Sequence, residues 1–324
     1  MRGLKILGYG LAHPDNLVTN DELSKFVDTS DSWIQERTGI KRRYISTHEN
    51  TSDLAIRAAK EALLDANMDG HELDAIIVAT FSADGQMPST AGLVQAGLGI
   101  NDKQLMAYDI NGACTGFVLT LQTAHALINS GMIKTALIIG AETLSKILDY
   151  SDRGTCVLFG DGAGAMIIQK DDDASDWYHY ANSKGDEEGV LTTDKIPLNS
   201  SLTNQSANFG YLRMKGQPVF RFAVSAMEDA IQNVLNQAQL SLDDIDWIVP
   251  HQANLRILSH VAKKMKFEES KFYTNLQEYG NTSSATIPIA LAEMKQKEIL
   301  KKGQKVILVG FGAGLAWGAS YLEV

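Results

Sequence analysis

Strand-like apolar runs recur along this chain at near-constant spacing, and that recurrence restricts the possible folds more than any other feature. Residues 75–80, 105–110 and 135–140 are short apolar runs, separated by segments whose apolar residues fall at helical intervals. A similar series follows in the second half. Asp246-Trp247-Ile248-Val249 echoes Asp74-Ala75-Ile76-Ile77, Lys271-Phe272-Tyr273-Thr274 echoes Met106-Ala107-Tyr108-Asp109, and Val306 to Gly310 echoes Ala136 to Gly140, at offsets of 172, 165 and 170 residues. Alternation of this kind predicts an α/β fold around a buried sheet. The repeat predicts two copies of one βαβ-rich unit related by a pseudo-twofold, which we divide at 1–172 and 173–324. Residues 171–208, rich in Asp, Ser, Asn and Gly, are read as a junction with irregular surface structure.

The first unit carries Gly112-Ala113-Cys114-Thr115-Gly116 where a strand is predicted to turn into a helix over 117–129. A thiol at a helix N-terminus meets unpaired N–H groups and the positive end of the dipole, so a pKa below the free value of about 8.5 is expected. From position alone a buried packing cysteine fits as well. Cys156, in Thr155-Cys156-Val157-Leu158-Phe159, reads as a core thiol. Two cysteines in 324 residues suit a reduced interior.

The net charge of −10 disfavours nucleic acid as a partner, because phosphate binding needs a basic footprint. No run of 18 apolar residues and no leader-like start is present, so a cytoplasmic location away from membranes is expected. Basic residues are focused locally: Arg37 precedes Lys41-Arg42-Arg43, and Arg256, Lys263 and Lys264 recur on one face of a predicted helix. An acidic protein with such spots suits anionic ligands that dock at defined places.

His251 ends a predicted strand, where α/β sheets place their ligands. Asn281 opens the next helical segment, and its type fits an ordinary N-cap as well as a site residue. If the units are related by a twofold, the loops holding Cys114 and Asn281 converge. The 310–318 stretch, Gly-Phe-Gly-Ala-Gly-Leu-Ala-Trp-Gly, lacks the third glycine of a dinucleotide fingerprint and instead offers backbone N–H groups to an oxyanion. Gly160 to Ala165 is followed by a strand-like run and is read as a tight hairpin.

Cys114, His251, Asn281 and the 310–318 loop, in that order, resemble the beta-ketoacyl-[acyl carrier protein] synthase III family of the thiolase-like superfamily, and the likeness covers essentially the whole chain. Asp31 to Ile40, Ser151 to Thr155 running into Phe159 to Gly164, and His251-Gln252-Ala253-Asn254 extend it. The resemblance implies a duplicated five-layer αβαβα fold, a homodimer and a decarboxylating condensation that starts fatty acid biosynthesis. Cys114 would take an acyl group from acyl-CoA, malonyl-[acyl carrier protein] would follow, and His251 with Asn281 would hold the thioester carbonyl as carbon dioxide leaves. It further implies an oxyanion hole from the N–H groups of Cys114 and Ala313, and CoA contacts at Thr29, Trp33, Arg37 and Arg153. Carrier-protein docking would fall on Arg221, Arg256, Lys263 and Lys264. No metal or cofactor is implied, acyl-CoA being a substrate.

Two positions depart from the family pattern: Ala313 stands where glycine is common, and Met87 where phenylalanine often reaches into the partner's acyl pocket. Methionine is adaptable, so acyl groups beyond acetyl are expected to be accepted. A cysteine hydrolase of the α/β-hydrolase type would share the Gly-x-Cys-x-Gly turn but not the repeat, the glycine loop or Asn281. A degradative thiolase would need a second cysteine in the late loop, elongating relatives would need a second histidine, and an acyl-binding scaffold would need none of the three site residues.

Overall fold

The computed structural model describes residues 3–195 and 210–324, and the part of the 171–208 segment from 196 to 208 lies outside them. Its frame is two mixed sheets. The first contains β1 (Leu4–Ala12), β2 (Ala75–Ala79), β3 (Met106–Ile110), β4 (Thr135–Glu142) and β5 (Gly162–Lys170), in the order β1-β5-β4-β2-β3. The second contains β6 (Tyr178–Ser183), β7 (Trp247–Pro250), β8 (Lys305–Gly312) and β9 (Ala316–Glu323), in the order β7-β8-β9-β6. Corresponding strands pair alike: β2 runs parallel to β4 as β7 runs parallel to β8, while β4 and β8 each pair antiparallel with the strand that follows.

Helices build the remaining layers. α1 (Asp31–Thr38) lies on the surface, whereas α2 (Thr51–Asp65) and α3 (Thr90–Gly97) cover the outer face of the first sheet. α4 (Gly116–Asn129) and α7 (Thr286–Gln296) fill the space between the sheets, and α5 (Gly216–Ala238) with α6 (Leu255–Met265) covers the second sheet. The sequence explains which helices go inside. Along α4, Phe117, Val118, Leu121, Ala124 and Ile128 are buried, and α7 buries nine consecutive residues from Thr286 to Met294, so neither helix has a broad polar face to give to water. α6 instead alternates buried Ile257, Leu258, Val261 and Ala262 with lysines. The result is the thiolase-like αβαβα sandwich.

Two sequence expectations fail here. The run 271–274 forms no strand: Phe272 makes a single parallel bridge to Ile248, because Gln252 reaches across to accept from the Asn275 N–H and donate to the Tyr273 carbonyl, taking the edge that a strand would use. Nor is 160–165 a hairpin. Gly162 already belongs to β5, and the glycines there serve packing, since a Cβ at Gly164 would lie 2.4 Å from the Ile289 nitrogen of α7. Part of the junction segment is also regular, as β6 joins the second sheet and Leu191–Thr193 pairs with Leu212–Met214.

Candidate active site

β3 runs into a 3-10 turn, Ala113–Thr115, and then α4, which leaves Cys114 buried at the helix entrance with Ala113 at φ 46°. The other half repeats this turn at Ser283–Ala285 before α7, with Ser283 at φ 51°. Asn111 and Asn281 stand 170 positions apart and do the same local job, each accepting from the backbone N–H two residues on, at 3.3 Å in Ala113 and 2.8 Å in Ser283. Asn281 is therefore not the N-cap of the helix that follows, a place held by Ala285, but closes a turn ahead of it. Because its Oδ1 is held by Ser283, the Nδ2 end is left for the cavity that Asn281 lines. Cys114 itself corresponds, 170 positions on, to Ser284.

The expectation of a low thiol pKa is overturned. Burial pushes Cys114 up to about 12, opposed by the Ser283 hydroxyl. The helix entrance supplies N–H groups, but the sulfur has lost its water, and a charge gains less from a dipole than it loses by desolvation. The Cys114 thiol is neutral at rest. Cys156 is a buried core thiol, as read from its surroundings.

His251 follows β7, and its backbone N–H donates to Val309 at 2.7 Å. The ring is buried, meets Phe311 edge-on at 5.2 Å, and is pushed down to about 3 by burial, so it is neutral at rest. Its Nδ1 lies 2.8 Å from the Thr286 hydroxyl, which lies 2.9 Å from the Ser283 carbonyl. The hydroxyl has one proton. Turned to Ser283, it leaves the ring proton on Nδ1 and a lone pair on Nε2; turned to Nδ1, it leaves Nε2 as a donor. Thr286 therefore selects what His251 offers.

The 310–318 loop is the turn between β8 and β9 rather than a strand-to-helix turn, consistent with the failed dinucleotide fingerprint. A Cβ at Gly312 would lie 2.8 Å from the Cys114 nitrogen, so only glycine lets this strand end reach the Cys114 backbone. Ala313 follows on the wall of the same cavity, which has a volume of about 290 Å³ and is also lined by Cys114, His251, Asn281 and Phe311.

A second groove meets this cavity at Leu158, Met214, Gly216, Phe220 and Asn254. Trp33 lines it, with the Arg153 guanidinium 5.1 Å and that of Arg37 5.8 Å from the indole ring. Thr29 does not line it and sits just before the Ser30 cap of α1. Arg221 and Arg256 lie on the groove wall, while Lys263 lines a neighbouring groove with Arg256, and Lys264 is ion-paired at 2.5 Å with Glu228 of α5. The basic face is accordingly shared between the groove mouth and a neutralised corner. Met87 is 85% exposed and lines neither space in its own chain.

Sequence reasoning missed Glu142, Ser284 and Thr286. Glu142 ends β4 fully buried beneath the turn, its Oε2 met by the Ser82 hydroxyl at 2.5 Å, the Thr80 hydroxyl at 3.1 Å and the backbone N–H groups of Phe81 and Ser82. The signal that could have found Ser284 was the 170-residue offset applied to Cys114.

A thiol, an imidazole and an amide, drawn from both halves of a thiolase-like sandwich onto one cavity with a glycine strand end behind the thiol, define a condensing acyltransferase. Comparison with known proteins agrees. Residues 108–185 match the family model for 3-oxoacyl-[acyl-carrier-protein (ACP)] synthase III, and residues 235–324 match that for its C-terminal part. The chain is 50% identical over 324 residues to the beta-ketoacyl-[acyl-carrier-protein] synthase III of Clostridium novyi, covering 100% of this chain and 99% of the relative. It is 49% identical over 326 residues to that of Clostridium perfringens, with both chains fully covered. The crystal structure of 3-oxoacyl-[acyl-carrier-protein] synthase III from Aquifex aeolicus superposes with a TM-score of 0.93 at 43% identity, covering 99% of this chain and 100% of that one. The chain belongs to the beta-ketoacyl-[acyl-carrier-protein] synthase III family and is an acyltransferase of fatty acid biosynthesis.

Proposed function

We propose that the condensation proceeds through an acyl-enzyme on Cys114, a reading carried by the convergence of Cys114, His251 and Asn281 on one cavity. In the first stage the sulfur attacks the acyl-CoA carbonyl, its proton passes to the Nε2 lone pair of His251, and CoA leaves with a proton. The N–H groups of Cys114 and Ala313 stabilise the oxyanion. Transfer of the proton during attack suits a thiol and an imidazole that are both neutral at rest.

In the second stage malonyl-[acyl carrier protein] replaces CoA. Asn281 Nδ2 and His251 Nε2–H donate to its thioester carbonyl, carbon dioxide leaves, the electron pair released attacks the acyl-Cys114 carbonyl, and Cys114 departs as a thiolate that takes up a proton from solvent. Donation by His251 requires the ring to lose its Nδ1 proton to solvent and take one up on Nε2 as the Thr286 hydroxyl turns from Ser283 to Nδ1, a change that a carbonyl facing Nε2 favours. Decarboxylation itself makes the carbanion, so no strong base and no cofactor enters.

The groove between Trp33, Arg37 and Arg153 suits CoA, with Thr29 behind it as a weaker candidate. Arg221, Arg256 and Lys263 suit the acidic carrier protein, and Lys264 would join them only by leaving Glu228. A homodimer is supported by β3, an edge strand whose five residues are all only half-buried, and by exposed Met87, which would complete the partner's acyl pocket. We retain the division at residues 172 and 173, the cytoplasmic location and tolerance of acyl groups beyond acetyl as parts of this proposal. Among the described residues no helix is long and apolar enough to cross a membrane.

The test is turnover of acetyl-CoA and malonyl-[acyl carrier protein] by wild type, Cys114→Ser and Asn281→Ala, with malonyl decarboxylation followed separately. Loss of 3-oxoacyl product in Cys114→Ser and of decarboxylation in Asn281→Ala is expected. Undiminished product from Cys114→Ser would refute the acyl-enzyme.

A further inference from the structure

Ser284 occupies in the second half the position that Cys114 occupies in the first, and its hydroxyl touches two acceptors. It lies 2.8 Å from the Ala79 carbonyl at the end of β2 and 2.8 Å from Glu142 Oε1. A serine hydroxyl has one proton, and a peptide carbonyl can only accept. If that proton goes to Glu142, the contact with Ala79 sets two lone pairs against each other. If it goes to Ala79, the contact with Glu142 is favourable only when Oε1 itself carries a proton. One arrangement satisfies both contacts: Oε1–H to Ser284, and Ser284 to Ala79. Oε2, the other oxygen, is the acceptor for Ser82, Thr80 and the two backbone N–H groups.

We propose that Glu142 is a neutral carboxylic acid that donates to Ser284 and so clasps the turn carrying Asn281 and Thr286 to the strand ends beneath Cys114. It is a positioning residue, reaching the reaction through Ser284 and its neighbours. The arrangement joins the two halves of the fold where their site residues meet, since Glu142 and Ala79 belong to the first sheet and Ser284 to the second half. Close packing supports the clasp: a Cβ at Gly140, two residues before Glu142, would lie 2.3 Å from the Ser284 carbonyl oxygen.

Neutrality also has a chemical consequence. Both stages of the proposed reaction, on which this inference rests for its purpose, build negative charge at the cavity, first on sulfur and an oxyanion and then on an enolate. A fixed carboxylate beneath Cys114 would oppose each of them. Burial acts in the same direction as the proton count, raising the Glu142 pKa. The titratable groups that face it are the Cys114 thiol and exposed Lys146, whose ammonium donates to the Ala83 carbonyl at 3.0 Å and the Thr51 hydroxyl at 3.4 Å.

The decisive experiment is infrared difference spectroscopy of free wild type, Glu142→Gln and Ser284→Ala at neutral pH, alongside the pH profile of Cys114 alkylation by iodoacetamide. Neither readout requires acyl-CoA or carrier protein, so a failure of the condensing mechanism would leave this test intact. Expected are a protonated-carboxyl C=O band that is lost in Glu142→Gln and displaced in Ser284→Ala. The alkylation profile of Glu142→Gln should match that of wild type, because the substitution replaces one neutral donor with another. Absence of the band, its indifference to Ser284→Ala, or an alkylation profile shifted to lower pH in Glu142→Gln would overturn the proposal.

Discussion

Replacing Gly312 with alanine tests whether the β8 end shapes the oxyanion site. The added methyl would stand 2.8 Å from the Cys114 nitrogen, 3.2 Å from its Cβ and 3.2 Å from the Thr115 nitrogen. Real Cβ atoms do not approach backbone so closely, so either β8 or the Cys114 turn must move. Overpacking of this kind costs about 1–3 kcal/mol of stability. If the shift takes the Cys114 or Ala313 N–H off the oxyanion, the acylation barrier rises by about 2.7–4 kcal/mol, or about 10²- to 10³-fold in rate. Gly310→Ala is the internal control, since its methyl would meet nothing nearer than the Thr115 Cα at 3.3 Å. Single-turnover transfer from acetyl-CoA, with thermal melting of both variants, reads the two effects apart. Acylation by Gly312→Ala within about threefold of wild type would refute the reasoning.

Thr286→Val removes the hydroxyl that can turn to His251 Nδ1, and malonyl decarboxylation should fall about ten- to a hundredfold while Thr286→Ser retains it; equal loss in both would argue for packing alone. Trp33→Ala and Arg153→Ala should raise KM for acyl-CoA about two- to thirtyfold with kcat little changed, and a fall in kcat at constant KM would place the groove elsewhere in the reaction. Stability should fall on acidification between pH 6.5 and about 3, because His251 is held neutral in the fold and must charge on unfolding. Its depressed pKa contributes stability that is present above about 6.5 and lost as pH falls towards 3. At pH 5 the loss from His251 is about 2 kcal/mol, and a His251→Gln variant should show a shallower acid decline in chemical denaturation. An unchanged slope would contradict a neutral buried imidazole.

The apolar runs at 75–80 and 135–140 were legible as strands because full burial leaves no polar alternation to confuse them, and the helix over 117–129 was legible from its spacing. Cys114, His251 and Asn281 stood out by residue type at strand and helix ends. What stayed hidden depended on contacts across the chain. The run 271–274 reads as a strand until Gln252 is seen on its edge. The thiol pKa followed the helix dipole in one dimension and burial in three. Glu142 reads as an acid ending a strand, and only the fold brings it to Ser284, 142 residues away.

The most direct test of the account is the intact mass of wild type and Cys114→Ser after acetyl-CoA and then malonyl-[acyl carrier protein]. The account predicts one acetyl adduct on wild type alone, which persists in buffer and disappears as 3-oxoacyl-[acyl carrier protein] forms. An adduct released by water before the malonyl substrate is added, or an equal adduct on Cys114→Ser, would contradict it.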